Sequence, residues 1–275
     1  MADALDKQPL AIFESSYWQR AKTPLASLVF MLPLILFYEI SVSLLGIQKV
    51  QRMLEMDRPI SDIKARMMLF DLFQWLGISA YYLPGLVVIA VLFFWHVARR
   101  DPWKIELQLY LFMWLEAIAM ALPLFVLGWM MSRHLPMAAP LVVNEEGGVA
   151  SIVLSIGAGI YEELLFRLMI LTLLHMLFID LLKLAAGAGM TLAVAISAIA
   201  FALYHFSWDQ ISGQLLGIGP QPASAAMWNL IFFYTVAGVY FSSVFLLRGF
   251  GIVAWTHALY DVFVFVLYMQ HRHDG

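Results

Sequence analysis

Apolar runs of about 20 residues, the length that spans the hydrocarbon of a bilayer, recur near 26–46, 79–98, 107–131, 149–158 continuing into 161–182, 188–206, 227–247 and 252–270. These windows predict seven transmembrane helices. The stretch Met67–Gly77 is apolar but about half as long, which predicts an interfacial or re-entrant helix, or the first part of a broken eighth span. Lipid offers no partner to exposed backbone groups, so spans of this kind are helical. The expected fold is therefore all-α: a polytopic membrane helical bundle of seven to eight transmembrane helices. Pro33, Pro84 and Pro123 fall inside predicted spans and are expected to bend the first three. The Gly- and Pro-rich stretch from Phe206 to Met227 reads as a loop, first as a plain connector and second as a lid beside a substrate entrance.

Composition sharpens this picture. With 63% hydrophobic and 13% charged residues and a mean hydropathy of +0.83, the chain is far more apolar than an average soluble domain. It is expected to be a multi-pass integral membrane protein of the inner (plasma) membrane of a bacterium. The net charge of -3, with basic residues scattered along the chain, excludes a nucleic-acid partner. No cysteine is present, which removes disulfides, thiolate metal sites and cysteine nucleophiles. The first 25 residues lack a short apolar core followed by a cleavage site, so the first anchor is expected to stay in the mature chain. Arg99, Arg100 and Lys104, with Lys7, Arg20 and Lys22, favour a cytoplasmic amino terminus. Lys49, Arg52, Arg58, Lys64 and Arg66 then fall on the opposite side, and charge bias leaves the orientation open.

Against this oily background stand three clusters: Glu162-Glu163-Leu-Leu-Phe-Arg167, Phe201-Ala-Leu-Tyr-His205 and His257-Ala-Leu-Tyr-Asp261. Ionisable side chains at membrane depth are expensive and usually face an interior cavity. On an α-helix, residues four apart share a face and adjacent ones diverge by about 100°. Glu163 and Arg167 are therefore expected to pair, with Glu162 addressing a cavity unless the helix breaks at Gly157 or Gly159. His257 with Asp261 and Phe201 with His205 have the same spacing. A carboxylate and an imidazole in an apolar cavity suit general acid–base chemistry, and water activation is the natural task. His96 and His175 lack partners at helical spacing and read as packing residues. Glu39 and Glu116 are isolated carboxylates of other spans, read first as structural and second as touching a substrate path.

Taken together and in this order, the clusters resemble the CPBP family of intramembrane proteases, which includes CAAX-processing prenyl-protein endopeptidases and bacteriocin-processing proteins. Its pattern is E-E-x-x-x-R, F-x-x-x-H and H-x-x-x-N or a related polar residue. The resemblance covers about Val149 to Tyr268 and divides the chain into an amphipathic segment 1–25, membrane helices 26–148 and a catalytic core 149–275. It implies that Glu162 and His205 activate water and that His257 and Asp261 form the oxyanion side, with Glu163, Arg167 and Phe201 in support. It also implies a metal-free glutamate mechanism acting on a membrane-anchored protein or peptide within the bilayer. Asp261 departs from the asparagine of the best-known enzymes. An ionised carboxylate has no hydrogen to donate to an oxyanion, so Asp261 is expected to orient the ring of His257 instead. A zinc site built from Glu162, His205 and His257 is the second enzyme reading. The motifs of site-2, presenilin-like and rhomboid proteases are missing from the chain. From other classes come a proton-coupled transporter and a catalytically silent scaffold of the same fold. The charges concentrate in the last four spans and no internal repeat is visible, both of which weigh against transport.

Overall fold

The computed structural model describes residues 17–45, 63–78, 83–135, 148–215 and 225–273, and every regular element among them is helical. In chain order these are α1 (Tyr17–Arg20), α2 (Pro24–Leu45), α3 (Lys64–Trp75), α4 (Leu83–Arg99), α5 (Leu107–His134), α6 (Gly148–Glu163), α7 (Ala186–Tyr204), α8 (Trp208–Gln210), α9 (Ala225–Arg248) and α10 (Phe250–His273). Helix α6 runs on without interruption as π-helix over Leu164–Leu171, one α-turn over Thr172–His175 and a second π-helix over Met176–Leu181. Five helical rods are long and apolar enough to cross a membrane, and two shorter apolar helices cover Pro84–Arg99 and Phe250–Val266. They fall in the seven apolar windows of the sequence. The protein is a polytopic helical bundle.

Helix α10 occupies the middle and packs against α2, α5, α6 and α9. Its first residues are buried all round: Phe250, Ile252, Val253, Ala254, Trp255, Thr256, His257 and Ala258. A helix apolar on every side belongs inside a large bundle. The turn from α9 into α10 is a single residue, Gly249, at φ +86°, a left-handed conformation that glycine adopts without steric cost. Side-chain bonds fix α10 against α2, with Trp255 Nε1 donating to the Phe30 carbonyl at 2.8 Å and the Gly251 amide donating to Ser27 Oγ at 3.3 Å. Large apolar side chains such as Phe94, Leu111, Phe112 and Leu247 point outwards, as expected of surfaces that meet lipid.

Several expectations change. Pro33 and Pro123 lie inside α2 and α5, but Pro84 is the second residue of α4. There its missing N–H is one that a helix start leaves unpaired anyway, so it begins the helix and does not bend it. Met67–Gly77 belongs to α3, a separate 12-residue helix that ends at Gly77 (φ +81°); at about 1.5 Å per residue it is too short to cross alone. Arg66 of α3 is buried and ion-paired to Glu39 at 3.5 Å, so it is an interior charge and not a loop charge. The stretch after Phe206 begins as helix, with a capping box in which Ser207 Oγ accepts from the Gln210 amide. The remainder of that predicted loop, 216–224, lies outside the described residues, as do residues 1–16 of the amino-terminal segment.

Candidate active site

Gly157 and Gly159 do not break α6; they let other helices approach it. A Cβ at Gly159 would stand 2.6 Å from the Ala254 carbonyl oxygen of α10, and one at Gly157 would stand 2.0 Å from Ile63 Cδ1 and 2.2 Å from the Tyr38 ring. Small residues at a membrane helix contact permit this closeness. The contact brings the end of α6, with its two glutamates, against the stretch of α10 that carries His257.

Glu163 and Arg167 are both fully buried and joined at 2.9 Å through Oε1 and Nη1. The guanidinium also lies over Phe201 at 4.3 Å and Phe241 at 5.2 Å, contacts that help compensate a buried cation. Its Nη2 donates to the Gly238 carbonyl at 3.4 Å. The same Glu163 Oε1 accepts from His257 Nδ1 at 2.7 Å. A carboxylate only accepts, so the proton sits on Nδ1 and Nε2 faces the cavity. The other face of the His257 ring stacks on Phe241, with centroids 4.5 Å apart.

Glu162 does not diverge from this group. Its Oε2 lies 3.9 Å from His257 Nε2 and 3.9 Å from His205 Nε2, so both glutamates meet the histidine of α10. The reason is the central position of α10: one imidazole ring reaches Glu163 through Nδ1 and the side of Glu162 through Nε2. His205 caps α7, and its Nδ1 donates to the Phe201 carbonyl at 2.8 Å, which leaves Nε2 as the acceptor. Tyr234 of α9 stacks flat on His205 at 3.8 Å, and Phe201 meets it edge-on at 4.8 Å.

Asp261 Oδ2 is 3.5 Å from His257 Nε2. The carboxylate that holds the ring is therefore Glu163, through Nδ1, while Asp261 stands at the Nε2 edge. The access side is set by exposure: the side chains of Asp261 and His205 are 29% and 21% exposed, those of Glu162 and His257 only 9% and 5%. Among the described residues no three His, Asp or Glu side chains are grouped to ligate a metal ion.

Other charges of the spans form two separate clusters. Glu39 pairs with Arg66 and accepts from the Tyr161 hydroxyl. Glu116 binds Arg248 and the Tyr17 hydroxyl. His96 is buried with its ring edge-on to Trp103 at 4.3 Å. His175, expected to lack a partner, lies 3.7 Å from Asp180, because the wider π-helical turn brings residues five apart together. Tyr234 beside His205 was not visible in the spacing, since it comes from a helix without a motif; the tyrosine preceding His205 was in plain view within the second cluster.

No curated protein and no solved structure matches the chain. Residues 146–263, which hold all three clusters, match the family model of the Rce1-like type II CAAX prenyl endopeptidases, in agreement with the resemblance that the motifs carry and in support of an intramembrane endopeptidase.

Proposed function

We propose that the protein hydrolyses a peptide bond of a membrane-anchored protein or peptide by a glutamate-type mechanism. The observation that carries this reading is the placing of Glu162 Oε2 at 3.9 Å from the Nε2 atoms of both His205 and His257. That separation is too long for a direct hydrogen bond and suits a single water shared between carboxylate and imidazole. Glu162, aided by the acceptor Nε2 of His205, takes a proton from this water as its oxygen attacks the scissile carbonyl carbon. The carbonyl oxygen becomes an oxyanion. In its doubly protonated form His257 donates Nε2–H to that oxygen, with Glu163 holding the ring from behind. Collapse of the intermediate breaks the C–N bond, and the proton held by Glu162 passes to the leaving amine. Asp261 at the open edge contributes negative charge beside His257 and takes no proton in this scheme.

The test uses the purified protein in detergent and a fluorescence-quenched peptide ending in a farnesylated CAAX sequence, the substrate type that the family description suggests. Glu162→Gln should lower turnover at least about a hundredfold, the usual contribution of a general base, with a thermal midpoint near wild type. Full turnover by Glu162→Gln would sink the assignment. Turnover should also survive exhaustive chelation; loss on chelation that zinc alone restores would put the zinc reading first.

A further inference from the structure

Helix α3 begins without a cap of its own. Ile63 occupies its N-cap position and makes no side-chain hydrogen bond to the helix, although the first backbone N–H groups of a helix need acceptors. The acceptor comes from α7: the Ala65 amide donates to the phenolic oxygen of Tyr204 at 2.7 Å. In return Lys64 Nζ donates at 3.2 Å to the carbonyl of Tyr204, the last residue of α7. A cation is thereby set at a helix C-terminus, where carbonyls lack partners. The Tyr204 ring meets Phe166 and His205 edge-on, with centroids 5.2 and 5.3 Å away.

A phenol has one proton to give, and its oxygen also accepts. Ala65 uses the accepting side, and the hydroxyl faces the carboxylate of Glu162. We infer that Tyr204 is a positioning residue for Glu162: α3 fixes the phenol, and the phenol donates to the carboxylate so that Oε2 stays turned towards His205 and His257. The effect on catalysis rests on the reading of Glu162 as the base. The geometry of Tyr204 does not.

The experiment is infrared spectroscopy of the full-length protein labelled with carbon-13 glutamate. The Glu162 carboxylate band is identified by its loss in Glu162→Gln. Tyr204→Phe, which removes one oxygen atom, should move that band. Placing 3,5-difluorotyrosine at position 204, a stronger donor of similar shape, should move it in the opposite direction. On the farnesylated peptide, Tyr204→Phe should lower kcat about tenfold or more with KM unchanged, as for loss of one hydrogen bond to a charged group. A Glu162 band at one frequency in all these proteins overturns the inference whatever their activity. Full turnover by Glu162→Gln overturns the base assignment instead and leaves the spectral result standing.

Discussion

Glu163 has two partners at one oxygen, Arg167 at 2.9 Å and His257 at 2.7 Å. Removing its charge leaves a buried guanidinium without a counter-ion, a change that costs about 3–5 kcal/mol. Glu163→Gln should therefore lower the thermal midpoint markedly and loosen His257. Asp261→Asn should behave differently, because Asp261 stands at the exposed edge and the ring stays fixed through Nδ1: its midpoint should remain near wild type and turnover should stay measurable. Thermal unfolding of the two variants side by side decides, and equal destabilisation would contradict the shared carboxylate. The pairs four apart, Glu163 with Arg167 and His257 with Asp261, were legible in the sequence because helical periodicity alone sets them. The Glu163–His257 bond joins residues 94 apart and depends on which faces two helices turn to each other, which spacing does not encode. The same holds for Tyr204 and Ala65, 139 residues apart.

For the helices, the seven apolar windows were readable from hydrophobic run length, whereas the purpose of their glycines was not. Gly157 and Gly159 looked like places where α6 breaks; both are packing surfaces. Their neighbours differ in kind. At Gly157 the crowding atoms belong to the side chains of Ile63 and Tyr38, which can rotate; at Gly159 they include the Ala254 carbonyl oxygen and the Ala258 amide, at 2.6 and 2.7 Å from the added Cβ. Backbone atoms move only if the helix moves. Gly159→Ala should cost about 1–3 kcal/mol, the usual range for overpacking. It should also reduce turnover by more than the lost stability explains, because it pushes α6, with Glu162, away from α10, with His257. Turnover at a temperature where the variant is fully folded checks this, and wild-type turnover there would mean that α6 and α10 yield without displacing the site.

Across the whole molecule, the helices ahead of residue 148 wall in the catalytic ones, and a second ionic cluster ties the chain's first described helix to its late spans. Arg248, the last residue of α9, binds Glu116 of α5 through two nitrogens, donates to the Trp18 carbonyl at 3.2 Å and lies 4.0 Å over the Trp18 ring. Glu116 also accepts from Tyr17. Read from sequence, Glu116 was an isolated carboxylate, because its partner lies 132 residues away. Arg248→Leu should free α1, and loss of about 2 kcal/mol at hydrogen bonds to charged groups corresponds to roughly 30-fold more frequent local opening. Trypsin cleavage after Arg20 or Lys22, timed under limiting protease, should accelerate accordingly. An unchanged cleavage rate would show that α1 is held by its apolar contacts alone.

The π-helical turns that follow Glu163 act as a phase shift within one rod. Before them, α6 keys onto α10; after them, the same rod keys onto α7, and Ser197 of α7 donates to the Phe166 carbonyl at 3.0 Å within the π segment. Two mating surfaces at different azimuths are thus served by a single continuous helix. Deleting one residue, such as Met169, would restore ordinary α-helical pitch and rotate one half against the other by about 100°. The rod would keep its hydrogen bonds and lose its timing: circular dichroism should report unchanged helix content while peptide cleavage is lost. Retained cleavage would mean that the rod tolerates either pitch, so that the offset between its halves is incidental to the chemistry.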